Sequence, residues 1–156
     1  GFNMYALYLF GDIVDARLGS LGFLAIYFGS LLLGSLYSLS YHKNELYYSA
    51  VGASGAVSGI VYSCIMLYPE MKLGLILIPI PIPGYIFGVA YLLYSIYGMR
   101  NRVGNIGHSA HLGGAIGGFV FTLLLFPQVL SENLLMIIFL SLPILVLLVF
   151  GKKLNV

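Results

Sequence analysis

Charge is what this chain has least of. Only 8% of its 156 residues are Asp, Glu, Lys or Arg, against roughly a quarter in a soluble domain. So few charges exclude a water-soluble surface, and with 60% hydrophobic residues and a mean hydropathy of +1.01 the chain reads as integral to a membrane. The net charge of +2 comes without a basic cluster interleaved with aromatics, which excludes nucleic acid as a partner. Cysteine is almost missing: Cys64, inside an apolar run, offers neither a disulfide framework nor a metal-binding spacing. No H-E-x-x-H pair is present, and no carboxylate lies near His108 or His111 in the sequence. Asp12 and Asp15 sit together, with no second intramembrane aspartate to form a dyad. No repeat with a period of about 20 to 50 residues marks a soluble array. An initiator methionine and a signal peptide are also missing before the opening apolar segment, so a truncated N-terminus is expected.

What is there is a series of apolar segments with clear punctuation. A spanning helix needs about 20 apolar residues. The first segment, residues 1–11, is too short by that measure and is followed by a polar link, "DIVDARLGS", at 12–20. A second runs over 21–41 to "HKNE", and a third over 54–68 to "PEMK". In "IPIPIPG", 78–84, alternating prolines remove backbone donors and block a continuous helix. That stretch could also be the broken helix of a small transporter subunit. A fourth helix is expected to start at Pro83 and reach Tyr97, followed by the loop 98–105; the fifth covers 110–126 and the sixth 134–150. The expected fold is an all-α polytopic membrane bundle of about six segments, the first incomplete, in a bacterial-type cell membrane.

Polar residues at membrane depth need a reason, because an ionisable group there costs about 2.5 to 3.5 kcal/mol. His42, in a loop beside Lys43, reads as solvated. His108 and His111 open the fifth segment in "GHSAHLGGAIGG" and share roughly one helix face, but a zinc site would need a third ligand. Serine with histidine remains. A serine hydroxyl becomes nucleophilic when a neutral imidazole takes its proton. Ser54 opens the third segment and His111 the fifth, and with one crossing between them both fall near the same membrane surface. Gly55 with Gly59, and Gly114 with Gly118, each form a G-x-x-x-G, a signature of close helix packing. Packing and chemistry can then be one device, the small residues letting two backbones approach until Ser54 and His111 meet.

These residues resemble the rhomboid intramembrane serine proteases. "GASG", Gly52 to Gly55, is similar to the family's G-x-S-G nucleophile motif, and "AHLGGAIGG" to its A-H-x-x-G-x-x-x-G histidine motif. "FNMYALYLFG" with "VDARLGS" resembles the family's second helix and the turn after it. The resemblance covers residues 1 to about 126 and implies a Ser54–His111 dyad without an aspartate, with Gly52, Gly55, Gly114 and Gly118 in support. Asn3 matches the asparagine of an H-x-x-x-N motif and is implied to help the Ser54 amide hold an oxyanion. Residues 1–127 would be the catalytic membrane domain without its first helix, and 128–156 an added helix with a short basic tail. The implied partners are the lipid bilayer and the transmembrane segments of substrate proteins, with no metal or cofactor. An inactive relative that binds membrane clients is the alternative. Many members carry a tyrosine four residues after the nucleophile, packed on the histidine; here that place is Ser58, and what orients the imidazole is open.

Overall fold

In lipid the backbone must satisfy its own polar groups, which makes the helix the default element. The computed structural model describes residues 1–49, 53–75, 78–104 and 106–154. Among them are five helices and one hairpin, in the order α1 Phe2–Tyr41, α2 Ser54–Leu67, β1 Lys72–Leu75, β2 Ile78–Pro83, α3 Gly84–Asn101, α4 His108–Leu125 and α5 Val129–Leu154. Three helices, α1, α4 and α5, are long and apolar enough to cross a membrane. At 14 residues α2 rises only about 21 Å. That is less than the roughly 30 Å of a hydrocarbon core, so at least one end of α2 lies below the membrane surface.

The expected link at 12–20 is not a loop. Residues 12–18 continue the first helix, and the helical geometry fails only at Gly19, with φ 73° and ψ 165°, a region open essentially to glycine alone. A Cβ on Gly11 would lie 3.2 Å from the Phe23 ring. On a straight helix these positions would be about 18 Å apart, so α1 folds back at Gly19 into two antiparallel arms, 2–18 and 20–41. Other boundaries also move. Pro83 caps α3 rather than opening it, α3 continues to Asn101, and α4 starts at His108, two residues before the expected start. α5 begins at Val129 but breaks at Asn133, so its regular part starts where the sixth segment was expected.

The proline stretch is a strand, not an interrupted membrane helix. β2 pairs antiparallel with β1 in the register Lys72↔Pro83, Leu73↔Ile82 and Leu75↔Ile78, with an irregularity between Leu73 and Leu75. Successive N–H groups of a strand point to opposite edges, so where it is regular the isoleucines donate to one edge and the prolines leave the other without donors. Gly84, in phase with Ile82, donates its N–H to the Met71 carbonyl at 2.8 Å, which sets the isoleucine edge against β1.

The core is the seam of α2, α4 and the second arm of α1. A Cβ on Gly55 would sit 3.0 Å from the Ala110 carbonyl, and one on Gly114 would overlap the Gly55 backbone. One turn on, a Cβ on Gly118 would overlap the Gly59 backbone. Advancing one turn on α2 therefore advances one turn on α4, and the two run parallel. Against them the α1 arm runs antiparallel: a Cβ on Gly113 would meet Gly34 Cα at 2.9 Å and one on Gly117 would meet Ser30 Cα at 2.8 Å. Within the seam Thr122 Oγ1 donates to Ser63 Oγ at 2.7 Å or to the Gly118 carbonyl at 2.6 Å, keeping polar atoms paired away from water.

α5 braces this core from outside. Tyr62 of α2 donates its hydroxyl to the Leu140 carbonyl at 3.1 Å. At the α5 break, Asn133 Nδ2 lies 3.4 Å from both the Met66 and Leu67 carbonyls, satisfying acceptors that the end of α2 leaves without helical donors. Arg17, just before the turn of α1, grips both oxygens of Glu132 at 2.8 and 2.9 Å.

Three outcomes are expected. Gly118→Ala should destabilise the protein by about 1 to 3 kcal/mol, since the methyl group meets backbone that has nowhere to go. Gly74→Ala, where no atom lies within 4 Å, should be near neutral. Ser30→Ala, which removes a buried hydroxyl without a hydrogen-bond partner among the described residues, should be neutral or stabilising by up to about 1 kcal/mol. Denaturant titration in detergent, followed by circular dichroism, measures all three.

Candidate active site

Ser54 is the first residue of α2, and its helix begins without a side-chain cap. The amides of that first turn therefore have no helical acceptor and present partial positive charge at the helix start. His111 lies in the first turn of α4, and its own amide bonds the Gly107 carbonyl at 3.0 Å. Parallel packing puts both helix starts at one end of the bundle, with Gly55 on Ala110, the neighbours of Ser54 and His111 in sequence. Both side chains are half-buried. No hydrogen bond joins the Ser54 hydroxyl to the His111 ring among the described residues. The fold-back at Gly19 returns the start of α1 to the same end, and Asn3 is half-buried in its first turn, with no hydrogen bond to either residue. Gly52 lies outside the described residues.

Of the two residues that connect Ser54 to His111, Ser58 was singled out from sequence and Tyr91 was not. The Tyr91 ring of α3 lies nearly parallel to the His111 imidazole, at 19° with centroids 6.4 Å apart, within the offset-stacking range. The Tyr91 hydroxyl is 2.6 Å from Ser58 Oγ, and Ser58 in turn donates to the Ser54 carbonyl at 2.8 Å. A serine hydroxyl has one proton, so with Ser58 donating to Ser54, Tyr91 is the donor to Ser58. No local signal marks Tyr91 in an aromatic-rich helix; the empty place at Ser58 was the only hint.

The other two histidines also differ from their solitary readings. His108 is held by other partners: its Nε2 is 3.0 Å from the Val103 carbonyl, and its ring meets Tyr94 edge-on at 5.3 Å. His42 is not a solvated loop residue. Its ring stacks on Tyr48 at 3.4 Å and 7°, its Nε2 is 3.2 Å from Ser109 Oγ, and its Nδ1 is 3.2 Å from Glu45. Ser109 Oγ also lies 2.9 Å from Ser38 Oγ, so the network ties the end of α1 to the start of α4. A cavity of about 190 Å³ opens beside it, lined by His42, Glu45, Arg102, His108 and Ser109 among others, but by neither Ser54 nor His111.

Comparison with known proteins accounts for most of the chain. The Rhomboid domain model matches residues 1–128. Rhomboid protein 1, mitochondrial, of Saccharomyces cerevisiae is 33% identical over 124 residues, which are 78% of this chain and 36% of that protein. In Bacillus subtilis the putative rhomboid protease YdcA is 31% identical, over 79% of this chain and 58% of its own length. The rhomboid protease GluP of the same organism is 33% identical, over 76% of this chain and 21% of its own. The chain thus spans well under two thirds of each of these relatives, which come from mitochondria as well as bacteria, so a bacterial-type membrane is one of two settings among them. No solved structure gives a significant match. With a domain match that begins at the first residue and runs through the whole seam of α1, α2 and α4, this integral membrane protein belongs to the rhomboid family.

Proposed function

We propose that the chain is the core of an intramembrane serine endopeptidase that cleaves within or beside transmembrane segments of other membrane proteins. The observation that carries this reading is the close parallel packing of α2 on α4, which brings Gly55 onto Ala110 and so the chemistry-bearing starts of both helices to one end. Relatives named as rhomboid proteases support it. In the reaction, His111 takes the proton of Ser54 as Oγ attacks the scissile carbonyl. The resulting oxyanion meets the Ser54 amide, a donor in the first turn of a helix with no helical acceptor, and the Asn3 side-chain amide. His111 then protonates the leaving amine, and a water activated by the same imidazole releases the acyl group. Closing the distance from imidazole to hydroxyl belongs to substrate binding, since catalytic hydrogen bonds tighten in the complex.

Within this reading residues 1–127 form the catalytic membrane domain, and 128–156 an added helix that braces α2 and α3. The two arms of α1 together with α2 to α5 make the six membrane-embedded segments of a bundle in a bacterial-type cell membrane. The substrate is a transmembrane segment with small residues and a weak helix at the cleavage point, because a peptide bond inside an intact helix is shielded by its own hydrogen bonds.

Ser54→Ala and His111→Ala, made in the full-length protein, should each lower cleavage of a model transmembrane substrate by about a thousandfold or more and abolish labelling by a fluorophosphonate. Cleavage that survives Ser54→Ala would sink the mechanism. Binding of membrane clients by a wild-type protein that neither cleaves nor labels would identify the non-cleaving relative instead.

A further inference from the structure

We propose that Tyr91 is the positioning residue of this site: its ring is the wall on which the His111 imidazole stacks, and Ser58 sets that wall by tying the Tyr91 hydroxyl to the backbone of Ser54. The proposal rests on the reading of Ser54 and His111 as the reacting pair.

A catalytic imidazole needs something to fix its ring plane, and a carboxylate usually does so. This chain has five acidic residues. Glu132 is held by Arg17, Glu45 by His42 and Arg102, and Asp12, Asp15 and Glu70 lie toward the Gly19 turn or beyond the far end of α2. None of them bonds His111 among the described residues. His108, one turn away on the same helix, is committed to Val103 and Tyr94. What does face His111 is Tyr91, and Tyr91 is itself fixed on two sides. Phe87, one turn earlier on α3, stacks on it at 17° with centroids 6.0 Å apart, making a pile of three rings. Its hydroxyl donates to Ser58 at 2.6 Å, and Ser58 donates to the Ser54 carbonyl at 2.8 Å. Bonds in such a chain polarise and strengthen one another. The carbonyl at its end belongs to the residue whose hydroxyl must meet the imidazole. The plane of the base is thereby measured from the backbone of the nucleophile, through a second helix. The ring comes from α3, and the small side chain at 58 leaves space for it and supplies its anchor.

The test uses the full-length protein, a fluorogenic model transmembrane peptide with small residues at its centre, and the pH profile of kcat/KM alongside thermal unfolding. Tyr91→Leu should lower kcat by about ten- to a hundredfold with KM changed by less than about twofold. It should also displace the midpoint of the pH profile by about half a unit or more, since the stacked face of the imidazole is lost. Tyr91→Phe and Ser58→Ala, which keep the ring and cut its anchor, should each cost about three- to tenfold, and the double variant no more than the worse single, as expected of two ends of one bond. Wild-type kcat and pH midpoint in Tyr91→Leu, with Ser54→Ala and His111→Ala inactive, would overturn the role of Tyr91 and leave the dyad standing. Activity in Ser54→Ala would remove the dyad itself. Lost activity with lowered thermal stability at an unchanged pH midpoint would make Tyr91 a space filler and overturn the proposal. Should Tyr91→Leu not fold, additive or absent losses in Tyr91→Phe and Ser58→Ala do the same.

Discussion

Where α2 meets α4, the backbone of Gly55 and Gly59 fills the volume that side chains at Gly114 and Gly118 would occupy. Lipid tails are as apolar as leucine, so no hydrophobic gain draws these helices together; close van der Waals approach must do it. Each backbone contact is also a stop. A helix that touches its neighbour through main-chain atoms has no rotamer with which to absorb a shift, and the register between α2 and α4 is held to within a fraction of a turn. The start of α2 is fixed relative to the start of α4 by that register, and the second arm of α1 locks it from the other side through Gly34 and Ser30.

Around this seam polar side chains form a sparse set of pairs rather than a network. Thr122 with Ser63, Tyr62 with the Leu140 carbonyl, and Ser58 with Tyr91 each join two helices at one point. At the open end, Ser38, Ser109 and His42 make a longer run that ends on Glu45 and Arg102. The distribution follows from solvent. Deep in the bundle a donor without an acceptor is expensive, so hydroxyls appear there in matched pairs or bonded to carbonyls. Charges gather where water can share their cost. Ser30 departs from the pattern, its hydroxyl pressed between the glycines of two helices.

The parts legible in the sequence were those written in residue spacing. Glycines one turn apart announced the seam, and one crossing between Ser54 and His111 was enough to give α2 and α4 the same direction. Boundaries were less legible where charge and helix coincide. Asp12, Asp15 and Arg17 suggested a loop, yet they ride the end of a helical arm, and one glycine with positive φ makes the turn. Alternating prolines correctly ruled out helix in 78–82, though not at Pro83, and pairing with 72–75 depends on a partner that no local pattern names. Tyr91 was invisible for the same reason. The chain has 13 tyrosines, and only the third dimension says which one lies against a histidine on the next helix. His42 was misjudged because a loop position says nothing of the ring that stacks on it.

The hairpin of β1 and β2 has one further consequence. Two short strands ordinarily expose hydrogen-bonding edges that invite a third strand, from another molecule or from a misfolded copy. Along the outer edge of β2 the prolines offer carbonyls and no donors, so an approaching extended chain would form only half a ladder. The same residues that stop a helix from forming between α2 and α3 thus make that edge a poor template: crowded side by side in a bilayer, molecules of this protein are hindered from zippering together along β2.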